Sequence, residues 1–487
     1  MGMTGSLKNK TVRGIGWSFI DNISNQGITF LIGIVLARLL SPEEYGLIGI
    51  VTIFISVCNS IVDSGFSNAL IRKNNVNDHD YNTIFFTNIA FSVVLFVIIF
   101  LLADAIAIFF NQPLLLPLIR AMSIIIIINA FAIVQRVIFV KEIDFKTQTK
   151  ISFISSVLGG VVGICMAIYD MGVWSLVGQQ ITRQSLNTIL LWVYSKWTPK
   201  LLFSKNSFKE LFGFGWKLLV SGLIDTIWRE MYQVIIGKCY TPATLGQYTR
   251  AQQFSGIFSS NITSVIQRVS YPVLASIQND AGRLKQAYRR VIKITMLITF
   301  VLMLGMVAVS RPMIYVLIGS KWEIAAKFLP IICLQMMLYP LHAINLNMLQ
   351  VQGRSDLFLR LEIIKKTVSI IPILLGVFVN IYWMLWSSVF TGIFSYYLNS
   401  FYSGKLLDYT FSQQVKDIIP SFIIAVIMCL AVYPITFLSI SPVLQLVLQI
   451  TFGIVIIITL CEIIKLPEYL ELKGIVTPIV KKIFKLK

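Results

Sequence analysis

Six basic residues lie inside long apolar stretches of the sequence, and four of them are candidates for substrate binding: Arg183, Arg229, Arg250 and Lys217. A charge at the centre of a bilayer costs roughly 2.5–3.5 kcal/mol even on the lenient insertion scale, so such side chains face water or protein rather than lipid. A guanidinium group can bind two oxygens of a phosphate or pyrophosphate at once. These residues therefore favour a cavity that accepts an anionic or phosphate-bearing substrate.

Uncharged polar and aromatic residues accompany these bases at helical spacing. Asn22 and Asn25 lie on one stripe of the first apolar segment, and Trp228 adjoins Arg229. Amides hydrogen-bond to sugar hydroxyls and an indole packs on a sugar face, so we expect these three residues to line the same cavity. Asp225 precedes Arg229 by four residues, so this carboxylate either pairs with the arginine or couples transport to a proton.

The composition identifies the class of protein that must position these residues. Of 487 residues, 56% are hydrophobic and 13% are charged, whereas a typical soluble domain is about 25% charged. These values exclude a soluble enzyme, a disordered chain, a coiled coil and a disulfide scaffold. They predict an all-α integral membrane protein.

Cofactor and nucleic-acid binding are not expected. The six cysteines are scattered without metal-ligand spacing, only two histidines occur, and no GxxxxGK[ST] motif is present. We therefore predict no metal, no directly bound ATP and no other cofactor. The net charge of +19 is better explained by cytoplasmic loops than by a nucleic-acid partner.

Apolar segments indicate about fourteen transmembrane helices. Their approximate limits are 14–39, 42–69, 81–103, 113–136, 151–169, 171–195, 207–237, 241–277, 293–318, 323–350, 366–380, 382–404, 414–438 and 442–464. With the N-terminus inside, thirty of the 41 Lys and Arg residues fall in cytoplasmic stretches and five on the opposite side. This asymmetry predicts that both termini are cytoplasmic. It also leaves no large external loop for a catalytic domain.

Two stretches of the chain resemble one another at an offset of about 200 residues. The matching motifs are Gly14-Ile15-Gly16-Trp17 with Gly213-Phe214-Gly215-Trp216, and Ser41-Pro42-Glu43-Glu44-Tyr45-Gly46 with Thr241-Pro242-Ala243-Thr244-Leu245-Gly246. The offset spans six predicted helices, an even number, so both copies enter the membrane in the same orientation. We expect two parallel six-helix lobes, 1–200 and 201–410, around a central cavity. Residues 411–487 then add two transmembrane helices and a basic cytoplasmic tail.

Two local patterns concern helix packing rather than substrate. Gly159 and Gly163 form a GxxxG pair, which is typical of closely packed membrane helices. Pro340 predicts a kink, and His342 beside it is expected to form a hydrogen bond inside the bundle.

Longer motifs resemble those of a known family. They are Ser41-Pro42-Glu43-Glu44-Tyr45-Gly46-Leu47, Asp63-Ser64-Gly65-Phe66-Ser67-Asn68-Ala69-Leu70-Ile71, Ile143-Asp144-Phe145, Gly172-Val173-Trp174-Ser175-Leu176-Val177 and Leu245-Gly246-Gln247-Tyr248-Thr249-Arg250-Ala251. In order and spacing they resemble the Wzx-like polysaccharide transporters of the multidrug/oligosaccharidyl-lipid/polysaccharide superfamily. The branch of lipopolysaccharide and colanic-acid exporters is the most similar. Relatives often carry an arginine deep in the first helix, where this chain has Asp21, Asn22 and Asn25.

The resemblance implies a function that the residues alone do not specify. Such proteins move undecaprenyl-pyrophosphate-linked oligosaccharides across the bacterial cytoplasmic (inner) membrane by alternating access, for surface polysaccharide synthesis. The implied partners are that lipid-linked oligosaccharide, membrane lipid, and the polysaccharide polymerase and export machinery. Three alternatives remain open from the sequence: an ion-coupled multidrug antiporter of the same superfamily, a lipid II flippase, and a membrane polymerase or ligase. The short external loops disfavour the enzyme.

Overall fold

The computed structural model describes residues 24–63, 65–73 and 75–483, and the regular structure in these residues is helical. Short 3-10 turns cover Ser320–Trp322 and Tyr433–Phe437. The α-helices in chain order are α1 Ser24–Leu39, α2 Pro42–Asp63, α3 Phe66–Arg72, α4 Asp78–Phe110, α5 Leu115–Lys141, α6 Phe145–Ile168, α7 Trp174–Tyr194, α8 Lys205–Cys239, α9 Pro242–Ser276, α10 Ala281–Leu317, α11 Glu323–Met336, α12 Tyr339–Val351, α13 Ser355–Val368, α14 Ile370–Phe378, α15 Ile381–Leu407, α16 Phe411–Val432, α17 Pro442–Ile464 and α18 Pro467–Ile483.

The predicted all-helical, multi-span membrane fold is confirmed. Within the described residues, nine helical stretches are long and apolar enough to cross a membrane, and the shorter apolar helix α1 adds to them. Each of the fourteen predicted segments falls on one helix or on two consecutive helices, although the first ten residues of segment 14–39 lie outside the described part. The remaining segments fall on α7, α9, α14 and α15, which are either short or rich in polar residues. The count of fourteen crossings therefore stays a prediction.

Contacts divide the chain into two compact units, Met1–Gly246 and Gln247–Lys487. In the first unit, α8 packs against α2, α3 and α4, and α5 packs against α4 and α7. In the second unit, the long helix α10 packs against α11, α16 and α17. The lobes predicted from the sequence repeat divide instead at residue 200, and that division stays a prediction about internal symmetry.

Glycines allow α6 and α7 to approach closely, as the GxxxG pair predicts. A Cβ atom on Gly159 would lie 2.8 Å from the Cβ of Arg183, and one on Gly163 would lie 2.8 Å from the Cβ of Gln179. Real Cβ atoms do not approach this closely, so the two helices can pack at this separation only because both positions are glycine.

The repeated Pro-x-x-x-Gly motif forms a reciprocal contact inside the first unit. A Cβ on Gly46 of α2 would lie 1.8 Å from the carbonyl oxygen of Pro242, and a Cβ on Gly246 would lie 1.8 Å from the carbonyl oxygen of Pro42. Each glycine thus packs against the proline of the other motif. Both motifs open a helix, so the contact joins the start of α2 to the start of α9.

Replacing either glycine tests this contact. We expect Gly46→Ala and Gly246→Ala each to lower stability by about 1–3 kcal/mol, the usual cost of overpacking a closely packed site. Alanine otherwise favours a helix over glycine by about 1 kcal/mol, so intrinsic helix propensity works in the opposite direction. The measurement is the thermal unfolding of the purified protein in detergent.

Gly27→Ala is the matched control. Gly27 lies in α1, and a Cβ there would meet nothing within 4 Å. The control should unfold at or above the wild-type temperature. If all three variants unfold together, the reciprocal contact contributes nothing to stability.

Candidate functional site

Helix α8 is long enough to cross a membrane, and several of its charged side chains are exposed. Lys217, Asp225 and Arg229 are exposed, and Trp228 is half-buried. Charged groups in such a segment are stable where they face water or other protein groups, because hydrocarbon cannot solvate them. The exposed charged side chains of α8 therefore need water or other protein groups around them, whereas exposed apolar residues of the same helix, such as Ile224 and Ile227, do not.

The structure gives Arg229 a partner that the sequence analysis did not choose. Its Nε lies 3.4 Å from Oε1 of the adjacent Glu230, whose other carboxylate oxygen accepts a 2.7 Å hydrogen bond from Gln233. Glu230 is buried, whereas the Arg229 side chain is 67% exposed. The guanidinium therefore keeps most of its donors available. A role for Asp225 in orienting Arg229 or carrying a proton remains a prediction.

Arg183 lies on α7 with an exposed side chain. Its backbone is held against Gly159 of α6, whose Cβ would lie 3.0 Å from the Cα of Arg183. A long cationic side chain on a fixed backbone can reach a ligand with less loss of conformational entropy, which suits a binding role.

An amide network beside Arg183 was missed by the sequence analysis. Asn129 of α5 donates a 3.0 Å hydrogen bond to Asn59 of α2. Its carbonyl oxygen accepts hydrogen bonds from Arg136 at 3.0 Å and from Gln184 of α7 at 3.1 Å. One asparagine thus joins three helices and binds the cation of Arg136, the last residue of the predicted segment 113–136. Arg136 lies inside α5, which continues to Lys141.

The α5–α7 interface continues as a ladder of hydrogen bonds. Thr188 donates to the carbonyl of Ile128 at 3.1 Å, and the Trp192 indole donates to the carbonyl of Phe131 at 3.0 Å. With Gln184, these donors are spaced four residues apart along α7. That spacing is visible in the sequence and was the available signal for a polar helix interface.

Of the two asparagines of the first helix that were predicted to line the cavity, the structure describes only Asn25. Asn25 of α1 accepts a 3.2 Å hydrogen bond from Ser156 of α6, which places it at a contact between these helices. Asn22 lies outside the described residues, and its predicted role stays untested.

Arg250 lies in the second unit, on α9, and is half-buried. Its Nη1 donates a 2.5 Å hydrogen bond to Gln253, one turn further along the helix. Gln247, one turn earlier on α9, bonds to Lys321 and to Ala325, and Ser259 bonds to the carbonyl of Met336. These hydrogen bonds attach the helix that carries Arg250 to α11.

The arrangement contains more exposed basic groups than acidic ones. Across the described ranges 24–63, 65–73 and 75–483, no group of three or more His, Cys, Asp or Glu residues could hold a metal ion. The exposed groups on α7 and α8 can instead attract and hydrogen-bond an anion, with amides and indole nearby for hydroxyl-bearing groups.

Comparison with known proteins adds a family match. Residues 35–327 match the family model described as "Polysaccharide biosynthesis protein". The chain is 26% identical over 333 residues to the succinoglycan biosynthesis transport protein ExoT of Rhizobium meliloti, which covers 68% of this chain and 67% of the relative. It is 29% identical over 300 residues to the teichuronic acid biosynthesis protein TuaB of Bacillus subtilis, covering 61% and 62%. It is 24% identical over 377 residues to the lipopolysaccharide biosynthesis protein WzxC of Escherichia coli, covering 76% of each.

Solved structures show a similar fold. A lipid II flippase, MurJ, in an inward closed conformation superposes with a TM-score of 0.75 at 14% identity, covering 92% of this chain and 98% of that one. An inward-facing multidrug resistance MATE family transporter of the MOP superfamily superposes with a TM-score of 0.56 at 18% identity, covering 83% and 95%. At these identities the similarity describes the fold.

The Asn129 network predicts a contrast between two substitutions in α5. Asn129→Ala removes the acceptor for Arg136, and the loss of a hydrogen bond to a charged group costs about 1.5–3 kcal/mol. Gln135 is fully buried, and neither of its amide atoms has a hydrogen-bond partner in the described residues. Gln135→Leu should therefore be neutral or stabilising. Thermal unfolding in detergent measures both effects.

Asn129→Asp gives a second check, because a carboxylate can still accept from Arg136 and Gln184. It should recover part of the stability lost in Asn129→Ala, because a carboxylate cannot replace the hydrogen bond that Asn129 donates to Asn59. Equal unfolding temperatures for Asn129→Ala and wild type would contradict a structural role for the network.

Proposed function

We propose that this chain flips lipid-linked oligosaccharides across a membrane, on the premise that it belongs to the polysaccharide biosynthesis protein family. This Wzx-like family lies within the MOP superfamily and consists of transporters, not enzymes. The chain is a multi-pass membrane protein homologous to bacterial inner-membrane transporters. The polymerase or ligase considered from the sequence is therefore set aside.

The proposed cargo is an undecaprenyl-pyrophosphate-linked repeat unit. The names of the relatives refer to three different polymers, succinoglycan, teichuronic acid and lipopolysaccharide. A transporter family that serves such different sugars needs a feature common to its cargoes, and a lipid pyrophosphate is such a feature. The identity of the sugar is left open.

The observation that carries the proposal is the set of exposed basic side chains on α7 and α8. Arg183, Lys217 and Arg229 are all exposed, and they outnumber the exposed carboxylate of Asp225. Moving a pyrophosphate and a set of sugar hydroxyls through hydrocarbon costs several kcal/mol for each unpaired polar group and far more for the charge. A hydrated, basic surface lowers that barrier.

The proposed transport cycle rests on the internal repeat. We assign fourteen spans, both termini in the cytoplasm, and two parallel lobes, 1–200 and 201–410, with the segment 411–487 outside them. Alternating access would then expose the basic surface first to one leaflet and then to the other. The lipid tail would remain in the bilayer throughout, and a polymerase would consume the flipped repeat unit.

The excess of exposed basic side chains over acidic ones also favours the proposed flippase over a multidrug antiporter. An antiporter of organic cations needs carboxylates toward its cargo, whereas Glu230 is buried and paired with Arg229. A lipid II flippase shares both the fold and the lipid pyrophosphate. The match to such a protein is 14% identical, so the fold alone does not choose between the two cargoes.

Three arginine substitutions test the proposal. Arg183→Ala, Arg229→Ala and Arg250→Ala should each lower the export of surface polysaccharide by about tenfold or more, since a hydrogen bond to a charged group is worth about 1.5–3 kcal/mol. Cells should accumulate lipid-linked repeat units on the cytoplasmic side. The assay is the leaflet distribution of repeat units in a deletion strain that carries each variant at wild-type abundance.

Arg354→Ala is the control, because Arg354 forms an exposed ion pair with Asp356 at 2.7 Å, and such surface pairs contribute little. It should export normally. Full export by all three arginine variants at normal abundance would reject the assignment of the basic surface.

A further inference from the structure

An apolar groove runs along the first third of α8, outside the residues assigned to the sugar-pyrophosphate site. Phe208, Phe212 and Trp216 line it at intervals of four residues, with Lys209 and Gly213 completing the wall. Its volume is about 380 Å³, within the usual range for small-molecule sites. All five residues belong to the first unit.

The aromatic side chains that line the groove are held in place by ring contacts with one another and with a buried phenylalanine. The rings of Phe208 and Phe212 are stacked, with centroids 5.4 Å apart and planes 12° from parallel. Phe66 of α3 is fully buried, and its ring centroid lies 6.3 Å from that of Phe208 and 6.1 Å from that of Phe212. A Cβ on Gly213 would meet nothing within 4 Å, so the groove is open at that point. The groove is thus a preformed surface rather than a gap between mobile side chains.

Two cations stand at the end of the groove where α8 begins. Lys205 and Lys209 are one helical turn apart and exposed, and neither has an ion-pair or hydrogen-bond partner in the described part of the chain. The neighbouring acids are already paired: Glu210 with Lys73 at 2.9 Å, and Asp78 with Lys200 at 2.7 Å. A positive side chain at a helix N-terminus opposes the helix dipole, so these lysines do not stabilise α8.

The order of groups along α8 matches the order of groups in an anionic lipid. Two unpaired cations come first, near the end of the spanning helix where a headgroup lies, and the aromatic wall follows toward the helix interior. Two cations suit a pyrophosphate, which carries more charge than one phosphodiester.

We infer that the lipid part of the cargo, a polyprenyl pyrophosphate, first docks in this groove, before its pyrophosphate reaches the exposed arginines. In the docked state the pyrophosphate lies at Lys205 and Lys209, and the first isoprene units lie against Phe208, Phe212 and Trp216. The inference rests on the proposed function, because it assigns a position to the carrier lipid of that cargo. It gives the protein a docking point for the carrier that does not depend on the sugar.

Binding of sugar-free undecaprenyl pyrophosphate to the purified protein in nanodiscs tests the inference. Gly213→Leu adds a side chain to the groove at a position where a Cβ meets nothing within 4 Å, and it should weaken binding by about tenfold or more. Lys205→Gln combined with Lys209→Gln should weaken it similarly. Undecaprenol, which lacks the pyrophosphate, should lose binding with Gly213→Leu and be unaffected by the lysine changes.

Gly474→Leu on α18 is the matched control, since a Cβ there also meets nothing within 4 Å, and it should bind as wild type. Unchanged binding in Gly213→Leu would overturn the inference. So would equal competition by phosphatidylglycerol, which would make the groove an ordinary lipid contact.

A flipping assay in vesicles separates this inference from the function it rests on. If the wild type flips a lipid-linked oligosaccharide and Gly213→Leu flips it equally well, the groove assignment fails and the function stands. If the wild type binds undecaprenyl pyrophosphate in the groove and flips no lipid-linked oligosaccharide, the proposed function fails and the binding site remains.

Discussion

The cost of placing charge in a membrane-spanning helix is the constraint on which the rest of the structure depends. A chain with so few charged residues still carries arginines within its spans, and each must be solvated by protein or water. The first unit does this in two ways. Arg136 is satisfied internally by Asn129, whereas Arg183 and Arg229 keep exposed guanidinium groups. The distinction separates a structural cation from cations that are available to a ligand.

The same constraint shapes the second unit. Tyr288 and Ser403 donate hydrogen bonds to the side-chain oxygen Oδ1 of Asn345 at 2.7 and 2.6 Å. This buried asparagine therefore joins α10, α12 and α15. Arg289 of α10 pairs with Asp417 of α16 at 2.6 Å. Polar groups thus connect helices that an apolar interface alone would position less specifically, because a hydrogen bond in a nonpolar medium has strict geometry. In both units the helix framework is held by asparagines at three-helix junctions.

Helix positions and close packing were accessible from the sequence, because apolar length and small-residue spacing are local properties. The GxxxG contact of α6 with α7 was predicted and is confirmed. The chain also breaks between α11 and α12 just before Pro340, and His342 bonds to Asn399 at 3.2 Å, as expected. The partners of individual charged residues could not be predicted from the sequence. Arg136 ends the predicted segment 113–136, and its partner Asn129 is defined only once α2, α5 and α7 come together.

The central claim is that the chain itself carries a lipid-linked oligosaccharide from one leaflet to the other. The most direct measurement reconstitutes the purified protein in vesicles that contain lipid-linked repeat units in one leaflet, and follows the fraction that becomes accessible to an external glycan-modifying enzyme. The account predicts that accessibility rises with the wild-type protein and stays at the protein-free level with Arg183→Ala or Arg229→Ala. Equal accessibility with and without the wild-type protein, in vesicles shown to contain folded chain, would contradict it.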